Sequence, residues 1–328
     1  MLNPDAKLAP KLFEADVPTK PTRDGFGTGA VEAGKEDQNV VVLCADLAES
    51  TRAEWFQKEF PDRFIEMGVA EQNMATVAAG MARAGKVPFI TSYAAFNPGR
   101  NYEQVRTTIA LNRVPVKVCG MHAGVSVGPD GATHQMLEDI GMMRMLPGMT
   151  VIAPGDAEEA RKAVVAAAST DGPVYLRFGR SATPVFTTTD TPFEIGKALL
   201  LWESETPQVA LLSTGTLSHT ALLAAKALAE ENIGTLVLHV PTIKPLDEKA
   251  ILSAAKRVTH MLTLEEHQAM GGFGSAVVEL LSERNPLPMR RLGVQDQFGQ
   301  SGTPRELLAH YGLDAESVQA AVRALVQA

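Results

Sequence analysis

The chain has 328 residues, of which 45% are apolar and 21% charged, with a formal net charge of −8. That length supports a substantial core and division into two domains. The acidic balance, without a clustered basic patch, argues against nucleic acid or an anionic membrane surface as a partner, and no long uncharged apolar run offers a membrane span. The expectation is a cytoplasmic protein.

The first residues, MLNPDAKLAPKLFEADVPTKPTRDG, lack the basic-then-apolar pattern of a secretion signal and read as an extended arm. Strands are then predicted at Val40–Ala45, Val87–Tyr93, Pro115–His122, Thr150–Pro154 and Pro173–Phe178, each a short apolar run of the kind buried on both faces. Helices are predicted between them at Glu71–Ala84 (ended by Gly85), Asn101–Asn112 and Asp156–Ser169. Thr187–Pro192, polar and rich in Thr, reads as a linker. The rhythm then restarts, with strands at Val209–Ser213, Thr235–Val240 and Met261–Leu264 and helices at Ser218–Glu231, Gly274–Glu283 and Ser317–Val326. The predicted class is therefore α/β, with a parallel-sheet domain over 1–187, including the arm, and a smaller α/β domain over 193–328. In such folds ligands gather beyond the carboxyl ends of the strands, which is where the motif loops fall. Cys44 and Cys119 lie in apolar runs and read as reduced core thiols; their spacing excludes a C-x-x-C site.

Three features of the first half point to chemistry. Glu71, in GVAEQNM (Gly68–Met74), opens a helix of small residues, and a carboxylate in so apolar a place holds its proton more tightly. Taken alone it reads as a first-turn acid favoured by the helix dipole; the aromatic pair Tyr93 and Phe96 and the loop that follows raise the functional reading. That loop, HAGVSVGPDGATHQ (His122–Gln135), ends a strand and carries His122, Asp130 and His134. Imidazole is the natural proton-transfer group near neutral pH. Without a Cys or third His at a workable spacing, no metal site is expected on this chain. Arg23, Ser50, His122 and Arg180 are potential anion donors at loop positions, but each singly reads as solvated or capping, and only the fold would bring them together.

Taken together, these motifs resemble the C-terminal half of transketolase and of the related 1-deoxyxylulose-5-phosphate synthase. The resemblance extends over nearly the whole chain, including TIKPLD (Thr242–Asp247), EEHQAMGGFGSAV (Glu265–Val277) and FGQSGTPRELLAHYGL (Phe298–Leu313). It implies a pyrimidine-binding domain followed by the family's C-terminal domain, and thiamine diphosphate as cofactor. It further implies that Glu71 hydrogen-bonds the aminopyrimidine, that Tyr93 and Phe96 pack on it, and that Asp46 reaches the cofactor or the partner domain. His134 and Asp130 would bind sugar hydroxyls, with His122 and His134 aiding proton transfer. Arg23, Ser50, His122 and Arg180 would hold the phosphate of a sugar phosphate. The family's magnesium motif, GDG followed by a paired Asn, has no counterpart here: the one Gly-Asp, Gly155-Asp156, is followed by Ala157. The resemblance therefore implies a partner chain that carries that motif and the Mg2+, within a heterotetramer built on a homodimer of this chain.

Some residues depart from the transketolase pattern. Gln72-Asn73 lies closer to the deoxyxylulose-phosphate synthase motif, and Arg100, in NPGRNY, stands where a third aromatic is sought. The leading expectation is one subunit of a two-chain transketolase moving a two-carbon ketol unit between sugar phosphates. Behind it stand a deoxyxylulose-phosphate synthase-like component, a 2-oxo acid dehydrogenase beta-type subunit and a non-catalytic partner chain. A nicotinamide dehydrogenase is set low because no G-x-G-x-x-G follows the first strand.

Overall fold

Apolar runs with helices on either side form parallel strands, because a strand covered on both faces must be apolar on both. In the computed structural model, which describes residues 1–327, fourteen strands occur. They are β1 (Thr19–Lys20), β2 (Val40–Cys44), β3 (Phe64–Glu66), β4 (Val87–Tyr93), β5 (Lys117–Met121), β6 (Thr150–Ile152), β7 (Val174–Arg177), β8 (Thr183–Pro184), β9 (Leu199–Glu203), β10 (Val209–Ser213), β11 (Thr235–His239), β12 (Thr242–Lys244), β13 (His260–Gln268) and β14 (Met289–Val294). A seven-stranded sheet has the order β12-β6-β7-β5-β4-β2-β3 and a five-stranded sheet the order β14-β13-β10-β11-β9. The antiparallel exceptions in these sheets are β12 on β6 and β9 on β11, while β1 and β8 form a separate antiparallel pair. Strand β2 shows the logic: all five side chains are buried, and it runs in register with β4 from Val40–Val87 to Cys44–Thr91. Cys44 and Cys119 are free and buried. Among the described residues no helix is long and apolar enough to cross a membrane.

Four departures from the sequence reading have physical causes. The segment Thr22–Glu36 is a helix rather than the end of an arm. Its glycines look like helix breakers, yet a Cβ at Gly25 would lie 2.1 Å from Ala157 O and one at Gly29 2.7 Å from Arg161 O. They permit close approach to the Ala157–Ala168 helix. The expected helix Asn101–Asn112 is α-helical only over Tyr102–Gln104 and widens to a π-helix over Val105–Ala110. The arm is anchored to the second sheet: Asn3 N donates to Leu201 O at 2.9 Å, and Ala6 and Leu12 are buried in that sheet's core. Finally, Thr242–Lys244, from the second half of the chain, joins the first sheet as its edge.

Polar groups cross the same boundary. Arg177 Nε donates to Asp139 Oδ2 at 2.7 Å, and Arg177 Nη2 donates to Glu266 O at 2.8 Å from the second sheet. Tyr175 adds its hydroxyl to the same Asp139 oxygen at 2.7 Å. Burial works against the Asp139 charge, but Arg177 outweighs it and holds the carboxyl below its usual range. Nearby, Glu159 Oε2 lies 2.7 Å from His239 Nε2, and Ser218 Oγ 2.6 Å from His239 Nδ1.

Candidate functional site

Strands β7, β5, β4 and β2 are neighbours, so the loops leaving their carboxyl ends meet although they are far apart in sequence. The loop after β2 brings Asp46, Ser50 and Arg52; after β4 come Phe96 and Arg100; after β5 come His122, Asp130 and His134; after β7 comes Arg180. Arg23, in the first turn of the Thr22–Glu36 helix, and Glu71, at the start of the Glu71–Arg83 helix, complete the set.

Aromatic rings form its floor. Tyr93 stacks on His122 with centroids 3.9 Å apart and on Phe96 at 6.0 Å. His134 meets both edge-on, at 5.9 Å from Tyr93 and 5.6 Å from Phe96, and its Nδ1 lies 2.8 Å from Thr133 Oγ1. At one side Glu71 is 2% exposed. Its carboxylate accepts from Arg100 Nη1 at 2.9 Å and from Ser92 Oγ at 3.4 Å. Asn101 fixes the start of that helix by donating to Glu71 O at 3.1 Å.

At the other side lies a cluster of cations. Arg23 Nη1 donates to Ser50 O at 2.8 Å and stands 3.5 Å from His122 Nε2. Arg180 Nη1 donates to Val127 O at 2.9 Å and reaches Asp130 Oδ1 at 3.4 Å. Burial, then Arg23, Arg180 and Arg52, push the His122 pKa down to about 3, so its imidazole is neutral at pH 7. Burial likewise lowers Arg23, with Arg52 next. Among the described residues, the buried atoms His122 Nδ1 and Arg23 Nε have no hydrogen-bond partner. Two nitrogen atoms left without partners beside clustered guanidiniums suit an anionic ligand.

Of the residues singled out from sequence, Tyr93 makes ring contact with Phe96, His122 and His134, and Arg23 and Arg180 act on His122 while holding Ser50 O and Asp130 in turn. Asp46 is exposed at the end of β2 in the left-handed region, φ 57°, with its amide donating to Glu66 Oε1 at 2.7 Å. Two contributors were missed. Arg52 adds a cation, held by Asp24 Oδ1 at 2.8 Å; its position two residues after Ser50 was the available signal. Arg100 was noted without a role, and it is the ion-pair partner of Glu71. Asp156, the acid of the one Gly-Asp, caps the Ala157–Ala168 helix through Glu158 N and Glu159 N, and also binds Phe186 N and Thr187 N. Among the described residues no group of three or more His, Cys, Asp or Glu side chains is arranged to hold a metal.

Comparison with known proteins agrees with this architecture. Residues 19–185 match the family "Transketolase, pyrimidine binding domain" and residues 196–318 "Transketolase, C-terminal domain". A putative transketolase C-terminal section of Methanocaldococcus jannaschii is 41% identical over 91% of this chain and 94% of its own. The 6-deoxy-6-sulfo-D-fructose transketolase subunit SqwH of Clostridium sp. is 39% identical over 93% of this chain and 94% of its own. A solved split-gene transketolase, described as an inactive beta4 tetramer, superimposes with a TM-score of 0.86 at 43% identity, covering 92% of this chain and 97% of that one. The chain thus belongs to the transketolase family and corresponds to its pyrimidine-binding and C-terminal domains.

Proposed function

We propose that this chain is the pyrimidine-binding subunit of a two-chain, thiamine-diphosphate-dependent transketolase that moves a two-carbon ketol unit between sugar phosphates in the cytoplasm. The observation that carries the reading is the pairing, on one sheet, of the buried Glu71 beside the Tyr93–Phe96 rings with the Arg23–Arg52–Arg180–His122 cluster. A buried carboxylate next to stacked aromatics fits a planar heterocycle bearing N–H groups; unpaired donors among cations fit a terminal anion.

Bound thiamine diphosphate supplies a carbon nucleophile at its thiazolium ring and the electron sink for the transferred unit. Glu71 would hold the aminopyrimidine by a hydrogen bond, and Tyr93 and Phe96 would pack on its ring. Asp46, exposed at the rim, faces the cofactor or the partner domain. His134, oriented by Thr133, and Asp130 bind sugar hydroxyls and guide the proton that leaves the donor. Arg23, Ser50, His122 and Arg180 hold the phosphate, with Arg52 adding to the field. Because His122 is neutral at pH 7, its contribution is a hydrogen bond to substrate rather than a carried proton.

Asp156 is committed to its cap and to the Phe186–Thr187 backbone, which supports assigning the Mg2+ and diphosphate to a partner subunit with GDG and a paired Asn. A homodimer of this chain within a heterotetramer would complete the site, and the inactive beta4 tetramer of the split-gene neighbour supports inactivity of the lone subunit. We assign the domains to 1–187 and 193–328.

The test is reconstitution. The purified chain should bind thiamine diphosphate weakly and show no ketol transfer, and addition of the partner should restore it. Glu71→Gln in the reconstituted enzyme should remove most turnover with the fold intact. Robust activity of the lone chain, or near-normal turnover of the Gln variant at saturating cofactor, overturns the reading.

A further inference from the structure

The contacts of Arg100 match those required of the cofactor's heterocycle. Its Nη1 donates to Glu71 Oε2 at 2.9 Å, and its guanidinium carbon lies 4.5 Å from the centroid of the Phe96 ring. A guanidinium is planar, carries N–H donors and stacks on aromatic faces, as an aminopyrimidine does. We infer that Arg100 is a stand-in for the aminopyrimidine: in the empty site it occupies the Glu71 carboxylate and the Phe96 ring, and cofactor binding must displace it. The inference rests on the reading of Glu71 and Phe96 proposed above.

The surroundings suit a side chain that moves on a backbone that does not. The loop is fixed beneath it: Asn97 Nδ2 donates to Ile90 O and to Cys119 O, each at 3.1 Å, and Arg100 N donates to Phe96 O at 3.1 Å. Above the backbone, the Arg100 side chain is 46% exposed whereas Glu71 is 2% exposed. The carboxylate is thus fixed and enclosed while its partner reaches it from solvent, so a change of side-chain rotamer alone uncovers the site. Capping also offsets the cost of leaving a charged carboxylate buried and unpaired.

Displacement adds a competing equilibrium, so the observed affinity is the intrinsic affinity scaled by the fraction of molecules in which Arg100 is withdrawn. Removing the guanidinium should therefore strengthen cofactor binding. In calorimetric titrations of thiamine diphosphate and Mg2+ into the chain reconstituted with its partner, Arg100→Ala and Arg100→Gln should each bind about five- to tenfold more tightly than the unmodified enzyme. In a Glu71→Gln background, where only the Phe96 face is still contested, Arg100→Ala should gain clearly less than it does in the unmodified enzyme. Unchanged or weaker binding by folded Arg100 variants overturns the stand-in while leaving the cofactor reading intact. An undiminished gain in the Glu71→Gln background likewise overturns it, since competition for that carboxylate would not be its source. Failure of the unmodified complex to bind thiamine diphosphate at all would overturn both.

Discussion

Arg180→Ala isolates the anion-binding side of the site from the rest. The Arg180 side chain is 39% exposed, and its Nη1 is shared between Val127 O at 2.9 Å and Asp130 Oδ1 at 3.4 Å. A hydrogen bond to a charged group contributes about 1.5–3 kcal/mol. Partial exposure and the competing Asp130 place Arg180 at the lower end of that range, and about 1.5 kcal/mol corresponds to a tenfold rise in KM for a sugar phosphate. Two secondary effects accompany the loss. Asp130, left without its counter-charge, opposes an incoming anion. Loss of Arg180 also relieves one of the cations that hold His122 neutral. Burial, Arg23 and Arg52 still keep that imidazole neutral at assay pH, so it supplies no compensating charge. The assay is steady-state ketol transfer by the reconstituted enzyme, comparing a phosphorylated ketose with unphosphorylated hydroxypyruvate. The phosphorylated donor should lose about tenfold in kcat/KM while hydroxypyruvate is little affected. Equal losses for both donors would refute the role of Arg180 in holding phosphate.

Two further predictions concern stability. Asp139→Ala strips the buried Arg177 of its counter-charge and should cost about 3–5 kcal/mol in urea unfolding; a loss near zero would show that Glu266 O and the other contacts of Arg177 suffice. His122 has a folded pKa of about 3 against an ordinary 6.5, so the unfolded chain takes up that proton first. The stability it contributes is fully present above about pH 6.5 and is lost as the pH falls towards 3, at up to about 1.4 kcal/mol per pH unit. His122→Gln should flatten the stability profile in that window, and an unaltered slope would contradict the assignment.

Legibility from sequence depended on how local each signal was. Val87–Tyr93 and Val209–Ser213 coincide with their predicted strands, because uninterrupted apolar runs declare a buried parallel strand without reference to the rest of the chain. The loop after β5 carried the His122–Gln135 motif openly. What could not be read was adjacency. Ser50, Tyr93, His122 and Arg180 meet because β2, β4, β5 and β7 are neighbours, and strand order is set by how the crossovers wind. Arg100 escaped for a related reason: its partner lies 29 positions earlier, on the helix that follows an edge strand. The Thr22–Glu36 helix was hidden by glycines whose purpose lies in a second helix, at Ala157–Ala168. The widened turn at Val105–Ala110 leaves no mark in a periodicity search tuned to 3.6 residues.

The exchange of segments between the two sheets changes what it means to divide this chain. A cut in the Thr187–Pro192 linker would strip β6 of its β12 neighbour and leave its hydrogen-bonding edge open to pairing with another molecule. The same cut would take Ala6 and Leu12 away from the apolar cluster that buries them, exposing oily surface on both fragments. It would also part Arg177 from Glu266 O and Glu159 from His239. The two matched family regions therefore share one set of strands, apolar contacts and buried polar pairs. For anyone fusing, trimming or recombining such subunits, the linker that looks like the natural seam is the wrong place to cut.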